Sequence, residues 1–164
     1  MHFRKLALTC GFALALLLTS GRGSFAAKSP EAGKQIYNET ADARVEIKEA
    51  LEKAQAGHKR VIVVFGANWC YDCHVLDAAF HRPQLAEIIE ANYVVIHVDV
   101  GKFDKNLDLM KQYEVPRKRG IPGLAVLDPD GKLVYSQKSG EFENARAMSV
   151  DDFLAFLNKW KPGA

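Results

Sequence analysis

Cysteine is scarce in this chain of 164 residues, which contains only Cys10, Cys70 and Cys73. Three cysteines are too few for a small disulfide-stapled scaffold and too few for a zinc site built from cysteine alone. An excess of charge is also lacking, because 22 basic and 20 acidic residues leave a formal net charge of +2. Such a near-neutral chain shows no electrostatic sign of a nucleic-acid partner. The length and the remaining composition are those of one globular domain.

Long apolar runs are absent except near the N-terminus, where residues 6–20 include the segment FALALLL. Two basic residues precede this run, and Ser24-Phe25-Ala26 follows it. A basic start, an apolar core and small residues at the end are typical of a secretory signal peptide, which we predict over residues 1–26. The alternative is an uncleaved membrane anchor. It is disfavoured because the run is shorter than the ~20 residues that span a bilayer.

Cleavage after Ala26 changes both the charge and the cysteine count. It removes three basic residues together with Cys10, so the exported chain keeps 19 basic residues, 20 acidic residues and the pair Cys70 and Cys73. The net charge then becomes −1, and no reason remains to expect a nucleic-acid partner. The sequence therefore predicts a periplasmic or secreted protein with a single pair of cysteines.

Hydrophobic periodicity divides the rest of the chain into alternating helices and strands. Residues 27–41 are polar and irregular, and we expect them to form a loose N-terminal lead-in. Helices are expected at 42–56, from Cys70 to about residue 80, from Pro83, at 106–113 and from Ser149, and strands at 61–65, 93–100, 124–127 and 132–136. Strands separated by helices imply parallel crossovers, and the closing hairpin adds an antiparallel strand. An α/β fold with a mixed sheet is predicted.

The segment WCYDCH follows a buried strand and opens a helix, and its cysteines are Cys70 and Cys73. A thiol at a helix N-terminus faces unpaired backbone N–H groups and the positive end of the helix dipole, which both favour the nucleophilic thiolate. The second cysteine lies one helical turn further on, close enough to close a disulfide. This arrangement is the one that thiol–disulfide exchange requires.

The chain resembles the thioredoxin family at three places: the strand VIVVF, the segment GANWCYDC and the segment Arg119-Gly120-Ile121-Pro122. The resemblance extends over roughly residues 42–160. It implies a thioredoxin-like domain at 42–164, in which a mixed central sheet is flanked by helices. It also implies that Cys70 is the attacking thiol and Cys73 the resolving thiol.

The same resemblance implies roles for residues around the cysteines. Pro122 is expected to be cis and to face the disulfide, while Ile121 contributes backbone to a substrate groove and Trp69 shields the pair. Three further residues are expected to modulate the thiols: Tyr71, Asp72 and His74. The implied partners are proteins with disulfides and a membrane-embedded electron donor. No cofactor is expected beyond the redox-active disulfide itself.

Two departures from the thioredoxin pattern bear on the chemistry. Val64 stands where thioredoxins have a buried Asp, six residues before the first cysteine, so the proton acceptor for Cys73 must be another group or water. Asp72 lies directly before Cys73, and its negative charge disfavours a second negative charge nearby. The sequence therefore predicts a reductase or a mild isomerase, and not a strong oxidant.

Three other interpretations of the cysteine motif stay open at this point. Cys70 to His74 also matches the C-x-x-C-H attachment site of c-type haem, for which Met110 or Met148 would supply an axial ligand. The two cysteines and the histidine are alternatively metal ligands, or the cysteines form a purely structural disulfide. The β-branched strand before the motif and the Ile-Pro pair after it favour thiol–disulfide chemistry.

Overall fold

The computed structural model describes residues 34–164, so the predicted signal peptide of residues 1–26 and its Cys10 lie outside the described residues. Within the described range, helices and strands alternate. In chain order they are α1 (Ala43–Gly57), β1 (Arg60–Gly66), α2 (Tyr71–Phe80), α3 (Pro83–Asn92), β2 (Tyr93–Asp99), α4 (Leu107–Gln112), β3 (Gly123–Leu127), β4 (Leu133–Ser136) and α5 (Val150–Trp160). Two short 3₁₀ turns, Arg117–Arg119 and Ala145–Ala147, interrupt the longer loops.

The sheet has the strand order β2-β1-β3-β4, with β1 in an interior position. β1 is parallel to β2 and antiparallel to β3, and β3 is antiparallel to β4. Side chains of β1 alternate between two hydrophobic cores, so that Val63 faces the core shared with α1 and α4, while Val64 faces the core shared with α2, α3 and α5. The predicted α/β fold with a mixed sheet flanked by helices is confirmed.

The direction of β3 differs from the expectation. The alternation of helices and strands suggested a parallel crossover between β2 and β3, but β3 runs antiparallel to β1. The helix in this connection, α4, has only six residues and is about 9 Å long. A seven-residue strand such as β2 is about 23 Å long, so α4 does not return the chain along the sheet. β3 therefore starts at the end of the sheet where β2 stops.

Both long terminal helices begin at side-chain caps that the sequence predicts. The carboxylate of Asp42 accepts hydrogen bonds from the backbone N–H groups of Arg44 and Val45 at the start of α1. Ser149 and Asp152 form a capping box at the start of α5, which satisfies backbone donors that a helix cannot satisfy internally. The apolar periodicity of this helix predicts that Val45 is buried, but Val45 is exposed.

The segment before α1 is packed more closely than its polar sequence suggested. The Asn68 side chain accepts hydrogen bonds from the backbone N–H groups of Ile36 and Tyr37, and its amide donates to the Tyr37 carbonyl oxygen. The Tyr37 side chain is buried in the core. The expectation of a loose lead-in is therefore wrong for these residues, because side-chain hydrogen bonds replace the missing secondary structure.

Among residues 34–164, no helix combines the length and apolar character needed to cross a bilayer.

Candidate active site

The two cysteines lie where the interior strand β1 passes into helix α2. β1 ends at Gly66, and after a short turn Cys70 becomes the N-cap of α2, with an extended backbone (φ −83°, ψ 109°). Cys70 Sγ accepts a hydrogen bond of 3.1 Å from the backbone N–H of Cys73, and the two sulfurs are joined in a disulfide. A negative charge on Cys70 Sγ would therefore face the free N–H groups and the positive end of the helix dipole.

The loop that leads into β3 contacts the same sulfur. The peptide bond between Ile121 and Pro122 is cis, and the Ile121 carbonyl oxygen lies 3.6 Å from Cys70 Sγ. A carbonyl oxygen carries partial negative charge, so it opposes the stabilisation of a thiolate that the helix end provides. Cys70 Sγ thus lies between a favourable and an unfavourable electrostatic neighbour.

Exposed aromatic side chains flank Cys70 on both sides in the sequence. Trp69 is 58% exposed and Tyr71 is 52% exposed, and only Val45 joins them among the exposed large hydrophobic residues of the described chain. The Trp69 indole Nε1 donates a 2.9 Å hydrogen bond to the Gly101 carbonyl oxygen, and its ring contacts Phe103 edge-on. Because this hydrogen bond and this ring contact hold the indole in place, its exposed face forms a fixed apolar surface beside the disulfide.

Asp72 does not present an uncompensated charge to the cysteines. Its carboxylate accepts hydrogen bonds of 3.0 Å from both the backbone N–H and the Nε of Arg146, and the guanidinium Nη2 makes a further contact. Hydrogen bonds from Arg146 hold the pKa of Asp72 below its usual value, although burial acts in the opposite direction. The guanidinium also covers the Tyr71 ring, at 4.9 Å from its centroid. The Arg146 guanidinium thus compensates the charge of the Asp72 carboxylate, and the predicted influence of Asp72 on the thiols stays a prediction.

His74 is tied to the turn that precedes Cys70. Its ring Nε2 lies 2.7 Å from the Asn68 carbonyl oxygen, a distance at which the ring nitrogen must donate its proton. The part of the chain that the structure describes contains no group of three His, Cys, Asp or Glu side chains that could hold a metal ion. The contact between His74 and Asn68 helps to hold the turn before Cys70. The predicted influence of His74 on the thiols stays a prediction.

Behind the disulfide lies a buried polar cluster that the sequence analysis did not identify. Asp77 of α2 is 7% exposed, and its carboxylate lies 2.9 Å from Lys34 Nζ and 3.7 Å from His97 Nε2. The His97 ring contacts the Tyr37 ring edge-on at 5.2 Å. Burial lowers the pKa of His97, although the Asp77 carboxylate raises it. The available signal was an acidic residue at helical spacing from Cys73 and Phe80, both of which are buried.

Comparison with known proteins is consistent with this geometry. Residues 42–129, more than half of the chain, match the family described as thioredoxin-like. A disulphide isomerase from Xylella fastidiosa is 40% identical, with a TM-score of 0.72 over 77% of this chain and 96% of that chain. A thioredoxin from Thermus thermophilus is 26% identical, with a TM-score of 0.51 over 68% of this chain and 81% of that chain.

Curated relatives are considerably longer than this chain. The thiol:disulfide interchange protein DsbD of Pseudomonas fluorescens is 28% identical over 124 residues, which are 74% of this chain and 19% of DsbD. A probable protein disulfide-isomerase A6 of Medicago sativa is 32% identical over 103 residues, which are 63% of this chain and 25% of that protein. The chain thus spans about a fifth to a quarter of the length of these relatives.

The fold and the position of the disulfide define a class, the thioredoxin-fold thiol–disulfide oxidoreductases. The family match and the similarity to the Xylella protein agree with that class. The chain belongs to the thioredoxin-like family.

The ion pair between Asp72 and Arg146 generates a prediction about Cys70. Arg146→Met removes the guanidinium and leaves the Asp72 carboxylate uncompensated beside the active-site turn. The pKa of the Cys70 thiol should then rise by about half a unit to one unit, because a nearby negative charge disfavours the thiolate. The measurement is the pH dependence of Cys70 alkylation in a Cys73→Ser background.

Lys138→Met is the matched control for that measurement. Lys138 is an exposed cation of the same loop region, and it pairs with Glu114 instead of Asp72. This control should leave the Cys70 pKa unchanged. Equal Cys70 pKa values in the Arg146→Met and Lys138→Met variants would show that the ion pair does not influence the thiol.

Proposed function

We propose that this chain is an exported thiol–disulfide oxidoreductase in which Cys70 attacks protein disulfides and Cys73 resolves the mixed disulfide. The observation that carries the proposal is the Cys70–Cys73 disulfide at the N-terminus of α2. Cys70 is the N-cap, is 5% exposed and has two exposed aromatic neighbours, whereas Cys73 lies inside the helix and is 1% exposed. A protein substrate can therefore approach Cys70 more closely than Cys73.

The proposed reaction begins with both cysteines reduced. The Cys70 thiolate attacks one sulfur of a substrate disulfide, forms a mixed disulfide and releases the other substrate sulfur as a thiolate. Cys73 then loses its proton, and its thiolate attacks Cys70 Sγ and expels the second substrate sulfur. Two electrons pass to the substrate, whose sulfurs take up protons, and the Cys70–Cys73 disulfide forms.

Another turnover requires two electrons from a dithiol donor. An exported protein has no access to the cytosolic thiols that keep cysteines reduced. We therefore assign this role to a membrane-embedded donor, which can carry electrons from one side of the membrane to the other. The remaining partners in the proposal are proteins with disulfides.

The proposed substrate groove consists of the surface around Cys70 Sγ. On one side are the exposed rings of Trp69 and Tyr71, and on the other are Ile121 and the cis Pro122. Aromatic rings that are exposed but fixed supply binding area at a low cost in conformational entropy. A substrate segment that lies across these residues would bring its disulfide to Cys70 Sγ.

The direction of exchange follows in this proposal from the balance of charges at Cys70. The helix N-terminus favours a thiolate, the Ile121 carbonyl oxygen opposes it, and Asp72 is compensated by Arg146. Among the described residues, no cationic side chain forms a hydrogen bond or ion pair with either sulfur, so the reduced form gains only moderate stabilisation. We propose a reductase on this basis. Disulfide isomerisation is the second candidate, because the Xylella relative is named as a disulphide isomerase.

Substitution of each cysteine tests the proposed roles separately. Cys70→Ser should lower the reduction of insulin disulfides to the uncatalysed rate, because the attacking sulfur is lost. Cys73→Ser should retain the first attack and accumulate mixed disulfides between Cys70 and substrate proteins, which a non-reducing gel detects. Full insulin reduction by Cys70→Ser would contradict the mechanism, and circular dichroism checks that both variants are folded.

The reduction potential tests the proposed direction. Equilibration of the wild-type chain with glutathione buffers should give a value between about −180 and −270 mV, the range spanned by disulfide isomerases and thioredoxins. A value near −120 mV, typical of strong periplasmic oxidants, would contradict the assignment as a reductase or isomerase. Activity with scrambled disulfides at equal enzyme concentration then separates isomerase from reductase.

Export rests on the sequence of residues 1–26 and has its own test. Cleavage after Ala26 predicts that the protein isolated from outside the cytoplasm begins at Ala27, which intact-mass measurement detects. Recovery of the protein in a membrane fraction with residues 1–26 still attached would instead support the uncleaved anchor.

A further inference from the structure

The Tyr37 hydroxyl is a buried polar group without an evident purpose in the fold. The Tyr37 side chain is 1% exposed, and its Oη has no hydrogen-bond partner among residues 34–164. An unsatisfied buried hydroxyl costs free energy, and a phenylalanine at this position would avoid that cost. The backbone around Tyr37 is firmly held, because the Asn68 side chain binds it on both sides. The hydroxyl is therefore at a fixed place.

That place is next to the sulfur of the buried cysteine. A Cβ atom built on Gly66 would lie 2.1 Å from Tyr37 Oη and 2.8 Å from Cys73 Sγ, so the two atoms border the same small space. Glycine at the end of a strand often marks the close approach of another group. Here the absent side chain of Gly66 is what allows the phenol and the sulfur to become neighbours.

The surroundings of the phenol keep its proton in place. Burial raises the pKa of Tyr37 far above its usual value, and the carboxylates of Asp77 and Asp99 raise it further. The group is therefore neutral, and it acts toward a sulfur as a hydrogen-bond donor and not as a base. The charged and titratable groups of this region are Asp77 on α2, His81 directly after α2, His97 and Asp99 on β2, and the flanking Lys34 and Lys105.

We propose that Tyr37 is a positioning residue for Cys73, whose phenol donates a hydrogen bond to Cys73 Sγ when the disulfide is reduced. The inference rests on the proposed function, in which Cys73 must become a thiolate to resolve the mixed disulfide. A disulfide sulfur is a weak acceptor, whereas a thiolate accepts a strong, charge-assisted hydrogen bond. The hydroxyl thus gains its partner only in the reduced protein and in the mixed disulfide.

This role also addresses the absence of a buried acid in β1. Val64 stands at the position of the aspartate that the thioredoxin pattern places there, and it packs in the core on the opposite face from Cys73. In place of an acid that removes the proton of Cys73, the chain has a phenol that stabilises the charge left behind. The segment that carries the phenol lies before α1.

The test measures the pKa of the Cys73 thiol in a Cys70→Ser background, with and without Tyr37→Phe. Loss of the hydroxyl should raise this pKa by about one unit, seen as a shift in the pH profile of iodoacetamide alkylation. Tyr93→Phe is the matched control, because it also removes a buried hydroxyl, one that donates to the Leu157 carbonyl oxygen in the other core. The control should leave the Cys73 pKa unchanged.

A second measurement separates this role from a purely structural one. In the chain with both cysteines, at a pH high enough for the reduced Cys73 to be a thiolate, Tyr37→Phe should lower the unfolding midpoint of the reduced form. The midpoint of the oxidised form should stay equal or rise, because the hydroxyl has no partner in that state. Equal changes in both redox forms, together with an unchanged Cys73 pKa, would overturn the proposal.

A third measurement needs no substitution at Tyr37. In the otherwise wild-type chain, the ¹³Cζ resonance of Tyr37 should move on reduction of the disulfide, whereas that of Tyr93 should not. A Tyr37 resonance that is insensitive to reduction would overturn the inference. None of these measurements uses a substrate, so their results do not depend on whether the protein reduces insulin. The proposed function fails if Cys70→Ser still reduces insulin, and that failure is distinguishable from a failure of this inference.

Discussion

The interior position of β1 is the constraint on which the rest of the molecule depends. The strand is hydrogen-bonded to β2 on one side and to β3 on the other, and its residues 61–65 have no exposed side chain. Polar side chains are costly in such a strand, so polar chemistry must begin where the strand ends. Gly66 and the turn after it deliver Cys70 to the start of α2 at this end of the sheet. The reactive sulfur and the buried core are thus consequences of the same short apolar run.

Features that depend on neighbouring residues were predictable from the sequence. β1, the start of α2 near Cys70 and the capping box at Ser149 all follow from patterns of a few residues, and the structure contains each of them. The direction of β3 was not predictable in this way. It depends on the length of α4 relative to the strands, which a pattern of alternating helices and strands does not express.

The electrostatic surroundings of the disulfide were beyond local reasoning for a similar reason. Asp72 and Arg146 are 74 positions apart in the chain, and their contact follows from the folded path of the loop before α5. Tyr37 reaches Cys73 from a segment that has no regular secondary structure and no apolar periodicity. From composition alone, such polar segments would be expected to lie in solvent and not against the active site. Here they supply the cation that pairs with Asp72 and the buried Tyr37 hydroxyl, so the surroundings of the two cysteines depend on tertiary contacts.

The contacts of Asn68 determine at which end of the chain a tag or fusion partner would lie close to the cysteines. They bind the residues before α1 to the turn that carries Cys70, so the backbone leaves the described structure at Lys34 on the active-site side. The C-terminal end of the chain lies near the start of β1, away from the cysteines that follow the end of this strand. There Arg60 donates hydrogen bonds to the carbonyl oxygens of Trp160 and Lys161. A purification tag or fusion partner joined after Ala164 would therefore leave the cysteines accessible. The same addition before Lys34 would emerge beside them.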